Sequence, residues 1–305
     1  MPLFRLVPIA VLLGLLTILT GCSSADSDAA ATSDAGATSD TGTSGVVTST
    51  DTASAPEITV PNSEPPADLV VETVVEGDGD EVMAGDLLLA DYAGVLWDTG
   101  EEFDSSWSRD EPAAFGIGVQ AVIAGWDNGL VGQRVGSRVL LVIPPDLGYG
   151  EEGSGEIPGG ATLVFVVDIR DTFSAADATE GTPVTDLPDG LPTVTGDPGT
   201  QPTIDVSTAT APQTSTSTVV VEGTGEPIDA TAAVAAHAVQ ASLDSGEVLF
   251  STWESAPVGL SAEALPGLAE ALDSAAAGTR VITMISADDN DGEPLVLVVD
   301  VLGSY

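Results

Sequence analysis

The side chains best able to do chemistry are few. The chain has one histidine, His237, one cysteine, Cys22, and three tyrosines, Tyr92, Tyr149 and Tyr305. His237 falls in a stretch that reads as a strand, with no second His and no Cys nearby. No metal site is therefore expected there. The acidic runs around it lack the spaced loop pattern of a calcium site. The stretch AVIAGWDNGL, residues 121–130, says more. Trp126 follows Gly125 just where an amphipathic helix should begin. An indole is a large apolar surface with one N–H donor, and its burial is usually favourable. Two readings stand open: a core anchor, or the floor of a pocket at the start of the helix.

The charge balance excludes some functions. Among 305 residues, 48 are acidic and 6 basic, for a formal net charge of -42. All the basic residues are arginines (Arg5, Arg109, Arg134, Arg138, Arg170, Arg280), and lysine is absent. Such a field repels nucleic acid and anionic headgroups, so no nucleic-acid partner is expected. Arg5 precedes a largely apolar run over 6–19, the basic start and short hydrophobic core of an export signal. It is too short for a typical spanning helix. The segment closes with LTGC, residues 19–22, which resembles the bacterial lipoprotein cleavage box. That resemblance implies removal of residues 1–21, a lipid on Cys22, and a membrane-anchored, extracytoplasmic protein. The alternative is an ordinary secretory peptide with an incidental Cys. With a single Cys, a disulfide within the chain is excluded.

The elements that must position any site are strands. Residues 22–66 are Ser, Thr, Ala, Asp and Gly with almost no large apolar side chain, and a disordered tether is expected there. Residues 174–217 have the same character with added proline and read as a disordered linker. The segments 67–173 and 218–305 read as globular. In the first, LVVETVV, DLLLADYAGVLWDTGEEF, SRVLLVIPP and ATLVFVVDIRD are strand-like runs bounded by turn residues. AVIAGWDNGLVGQ is the helical candidate, with Ile123, Trp126, Leu130 and Val131 on one face. Many strands and one helix argue α+β, the helix covering an antiparallel sheet.

The second segment repeats the first in order. VVEGDGD (74–80) matches VVEGTGE (220–226), WDTGEEF matches LDSGEVL, and SSWS matches STWE. VGSRVLLVIP matches AGTRVITMIS, and LVFVVDIR matches LVLVVDVL. An internal duplication is expected.

The first segment resembles the FKBP-type peptidyl-prolyl cis-trans isomerases. The resemblance rests on DYAG (91–94), FDSSWSRDEP (103–112), VQAVIAGWDNGL (119–130), VGSRVLLVIPPDLGYG (135–150) and IPGGATLVFVVDI (157–169). It implies an FKBP-like twisted antiparallel sheet wrapped around one short helix, and with the internal repeat this fold is expected twice, the second copy degenerate. It also implies a pocket. Tyr92, Phe103, Asp104, Trp126, Tyr149 and Phe165 take the catalytic positions, with Trp126 as floor and Tyr149 as hydroxyl donor. Arg109, Phe115, Val122, Ile123 and Ile157 take the substrate-binding positions, the Ile123 amide holding a peptide carbonyl. Two departures stand out: Ala113 where an aromatic is common, and a short acidic loop, GEEGSGE, before Ile157.

The chemistry so implied needs no nucleophile, metal or cofactor. An X–Pro bond crosses a barrier of roughly 18–20 kcal/mol in tens to hundreds of seconds because amide resonance must break. A dry aromatic box favours the less dipolar twisted amide, and placed donors add to that preference. In the second copy, Tyr92 aligns with Ala238, Phe103 with Leu249, Asp104 with Phe250, Trp126 with Leu268 and Phe165 with Leu297. That copy is expected to fold and to be inactive. The leading reading is a monomeric, lipid-anchored isomerase acting on proline-containing clients, with macrolides that bind relatives as further ligands. The rival is a tethered binding module with little catalysis.

Overall fold

The runs LLLADYAGVL, RVLLVI and LVFVVDI are apolar at nearly every position, whereas a sheet with one wet face would alternate. Both faces of this sheet must therefore be covered, and the structure supplies two covers. It is a computed structural model that describes residues 38–40, 44–178, 181–197 and 199–305. The expected signal segment and Cys22 lie outside the described residues.

Strands β1 (Thr38–Asp40), β2 (Val47–Ser49) and β3 (Ile58–Thr59) form a small antiparallel sheet. The first lobe follows, with β4 (Val70–Val75), β5 (Leu87–Leu96), β6 (Glu102–Ser105), β7 (Ala113–Gly116), α1 (Ala124–Leu130), β8 (Arg138–Ile143) and β9 (Leu163–Phe173). Its antiparallel sheet runs β4-β8-β9-β5-β6, with β7 also on β5. On the inner face, Leu88, Val139, Leu141, Ile143, Phe165 and Val167 close over Trp126 and Leu130 of α1. On the outer face, Val95, Trp97, Leu140, Val142, Val164 and Val166 are covered by Val46, Ile58 and Val60.

This outer cover corrects the reading of residues 44–66 as a disordered tether. A segment so poor in large side chains cannot build a core of its own. It does not have to, because it lays a few side chains on a sheet already formed and shares that core. Two arginines fasten it, Arg138 buried and Arg170 partly exposed. The guanidinium of Arg138 is bidentate to Asp168 at 2.6 and 2.7 Å, and donates to the carbonyls of Ser49 (2.9 Å) and Ser54 (3.0 Å). Arg170 donates to Asp91 at 2.6 Å and to the Thr52 carbonyl at 3.1 Å, and the Trp97 indole donates to the Ser63 carbonyl at 2.9 Å.

The described residues of 174–217 are likewise not disordered. They hold β10 (Thr182–Pro183), β11 (Thr193–Thr195), β12 (Thr203–Asp205) and the first two residues of β13 (Thr216–Glu222). Leu191, Val194, Ile204 and Val206 cover Leu243, Ile282, Met284, Val296 and Val298. The second lobe continues with β14 (Ala233–Ser242), β15 (Val248–Ser251), β16 (Val258–Ser261), α2 (Leu268–Leu272), β17 (Arg280–Ile285) and β18 (Leu295–Ser304). Its sheet order is β10-β13-β17-β18-β14-β15, with β16 also on β14. From β13 onward this is the order of the first lobe. The lobes meet through Leu87, Phe173, Ala235 and Leu302, with Phe173 and Tyr305 ring centroids 5.8 Å apart.

Candidate active site

The stretch that opened the sequence question forms α1, with Ile123 as N-cap. Gly125 lets it lie close on the sheet, since a Cβ there would stand 2.5 Å from Ile143 Cγ2. Trp126 is thereby pressed inward and is 4% exposed. Three rings meet it edge-on: Phe115 at 5.0 Å, Phe165 at 5.3 Å and Tyr92 at 5.4 Å between centroids. Phe103 meets Phe165 in the same way at 5.4 Å. The Trp126 indole N–H is buried without a hydrogen-bond partner among the described residues. Trp126 is thus both core anchor and cavity wall.

These rings line a cavity of about 600 Å³ together with Asp104, Ala121, Val122, Ile123, Tyr149, Ser154, Glu156 and Ile157. One wall is polar. The Tyr92 phenol donates to Asp104 Oδ2 at 2.5 Å, and Arg109 donates to Asp104 Oδ1 at 2.6 Å and to the Tyr92 oxygen at 2.9 Å. Burial, then the hydrogen bond to Asp104, pushes the Tyr92 phenol up to about 12. Burial alone would raise Asp104, but the hydrogen bonds from Tyr92 and Arg109 and the guanidinium charge outweigh it, and its carboxyl lies below the usual range. Burial, then the charge of Asp104, raises Tyr149. The wall therefore offers a neutral phenol locked to an ionised carboxylate. The cavity offers aromatic surface, and Tyr149 at its edge is 38% exposed.

Comparison with known proteins agrees with this geometry. The profile of the FKBP-type peptidyl-prolyl cis-trans isomerases matches residues 79–170. The chain is 47% identical over 116 residues to the FK506-binding protein of Streptomyces anulatus, covering 37% of this chain and 94% of that protein. It is 44% identical over 114 residues to the probable FK506-binding protein of Corynebacterium glutamicum, 37% of this chain and 95% of that one. It is 48% identical over 97 residues to the peptidyl-prolyl cis-trans isomerase FPR2 of Saccharomyces cerevisiae, 32% of this chain and 72% of that one. This chain belongs to the FKBP-type peptidyl-prolyl cis-trans isomerase family.

The structure brings ten of the sequence-predicted FKBP pocket residues around one cavity, with Arg109 the exception. Arg109 is not among the residues that line the cavity. It reaches the wall only through Tyr92 and Asp104, and its side chain is 47% exposed. An exposed pair of this kind contributes little stability by itself. Its effect is to hold two wall groups in register.

Sequence reasoning missed two positioning carboxylates. Asp127 accepts from the Gly118 and Gln120 amides at 2.7 and 2.8 Å, fixing the loop that leads into the rim at Val122 and Ile123. Asp91 accepts from Ser106 Oγ at 3.0 Å, and Ser106 Oγ in turn accepts from the Tyr92 amide at 2.9 Å. This network fixes the chain that carries Asp104 and Arg109. The signal for Asp127 was a helical acid in the first turn, where it could reach back to preceding amides.

Proposed function

We propose that this chain is a prolyl isomerase of exported proteins, held at the outer side of a cell membrane by a lipid on Cys22. The observation that carries the reading is the aromatic cavity around Trp126 with its Tyr92–Asp104–Arg109 wall. A planar X–Pro amide is dipolar and well solvated by water. Between the rings it loses that solvation, while the twisted amide, with its weaker dipole, loses less. The Ile123 amide stands at the N-cap without an acceptor among the described residues, in position to hold a peptide carbonyl. Tyr149 is the second donor. Each ~1.4 kcal/mol of preference for the twisted state gives about tenfold in rate.

Residues 218–305 are read as a degenerate second copy. Supporting this are the common strand order and matching bonds. Arg280 is bidentate to Asp300 at 2.5 and 2.9 Å, as Arg138 is to Asp168. Thr252 Oγ1 accepts from the Ala238 amide at 2.9 Å, as Ser106 does from Tyr92. Ala238, Leu268 and Leu297 stand where Tyr92, Trp126 and Phe165 do, which leaves an aliphatic core without a phenol or an indole. The relatives' name, FK506-binding protein, makes that macrolide a proposed competitor for the cavity.

The test is the catalysed isomerisation rate of a short X–Pro peptide, with the whole chain and with Trp126→Ala combined with Tyr149→Phe. Acceleration by the wild type alone supports the pocket. If neither accelerates while both remain folded, the reading fails and the first lobe is a binding scaffold.

A further inference from the structure

The second lobe has an apolar edge where the first has a charged one. In β15, the consecutive residues Val248, Leu249 and Phe250 are 49%, 50% and 40% exposed. Gln240 pairs with Phe250 as Gly94 pairs with Asp104, and in each lobe the register slips by one residue just beyond that pair. Val248, Leu249 and Phe250 therefore occupy the positions of Glu102, Phe103 and Asp104. In the first lobe the bulged residue, Phe103, turns into the cavity. In the second, Leu249 remains half in solvent.

This strand ends its sheet. Among the described residues β14 is its one strand partner, so its other side presents unpaired backbone. Natural edges of this kind are usually blunted by charge or proline within the strand. Here both are missing from the strand, and the charge sits at its ends instead: Asp244 and Glu247 before it and Glu254 after it, all exposed. The one basic residue of 218–305, Arg280, is buried against Asp300 and offsets none of this. A second copy of the chain is a poor occupant, because each carries a net charge of -42.

We propose that β15 docks an extended segment of a client polypeptide, apolar in its middle and basic at its ends, as an added strand. The free backbone supplies the hydrogen bonds of strand addition, Val248, Leu249 and Phe250 supply the apolar grip, and the flanking carboxylates select cationic ends. This goes beyond the isomerase reading of the pocket and does not depend on it.

The test uses the full chain and a fluorescent, proline-free peptide with a Val/Thr core and lysines at both ends. Binding is followed by anisotropy. The wild type should bind saturably, and more weakly as salt rises. Val248→Glu with Phe250→Asp, which installs the first lobe's charges, should weaken binding by at least about tenfold. Glu247→Lys with Glu254→Lys, which leaves the apolar residues intact, should also weaken it. Both variants should retain the wild-type isomerisation rate on a short X–Pro peptide. Equal binding by the Val248→Glu, Phe250→Asp variant, equal binding of a peptide with acidic ends, or dimerisation of the wild type through this edge would overturn the proposal. Loss of isomerase activity in the wild type would overturn only the pocket reading.

Discussion

Gly94 of β5 lies opposite Phe165 of β9 in the sheet register, and the Phe165 ring stands where a side chain on residue 94 would begin. A Cβ there would be 2.7 Å from Phe165 Cε1 and 2.7 Å from Phe103 Cζ. The missing side chain is therefore part of the cavity wall. Gly94→Ala should displace both rings, destabilise the first lobe by about 1–3 kcal/mol and lower isomerase activity more than the loss of stability explains. Urea unfolding, together with peptide isomerisation rates measured well below the unfolding midpoint, would check this.

The tyrosines should titrate late. A free phenol is half ionised at about pH 10. Burial, then the hydrogen bond to Asp104, holds Tyr92 up to about 12, and burial also raises Tyr149 and Tyr305. Raised folded values mean that this contribution to stability is complete below about pH 10 and fades as pH rises toward 12. Ultraviolet difference titration of the folded chain should find little phenolate at pH 10. Tyr92→Phe should remove the latest-titrating phenol and leave the Arg109–Asp104 pair in place.

The second lobe should soften in mild acid. His237 stacks on Trp253 with centroids 4.0 Å apart, and its Nδ1 lies 2.9 Å from Thr252 Oγ1. Its cross-strand neighbour Asp300 is already committed to Arg280. Burial lowers the imidazole to about 4. Above about pH 6.5 neither the folded nor the unfolded chain carries the proton, and stability is full. As pH falls toward 4 the unfolded chain takes it up first and stability drops, by about 3 kcal/mol for a shift of this size. Denaturation curves at stepped pH should slope less over this window in His237→Leu than in the wild type.

The cover over the first sheet should be separable from the cavity. Val46 is fully buried between that cover and the sheet. Val46→Asp places a carboxylate there without a partner, which costs a few kcal/mol unless the segment lifts away. Limited proteolysis should then cut within 44–66 much faster than in the wild type, with a lower melting temperature. Isomerisation by intact molecules should change little, because Val46 lies on the face of the sheet opposite Trp126.

Strands, the short helix and ten of the pocket residues could be read along the chain because each leaves a local mark. Apolar runs bounded by turns set the strands, and the aromatic positions came through motifs spread from Tyr92 to Phe165. Two regions were misread for the same physical reason. Val46, Ile58 and Val60, and likewise Leu191, Val194, Ile204 and Val206, are too sparse to stand out in their own neighbourhoods. Their burial is decided by strands tens of residues away that lack any other cover. Asp127 and Asp91 look like ordinary acids until folding brings amides and hydroxyls to them.

Apolar runs and their bounding turns were thus enough for the class of fold, and motifs resembling one family were enough to point to the aromatic box. Tertiary contact alone decided that Arg109 works from outside the cavity, that glycine at 94 makes room for two rings, and that β15 is left apolar at an open edge. Those outcomes depend on which surfaces meet across long sequence separations, and no local pattern of residues encodes that meeting.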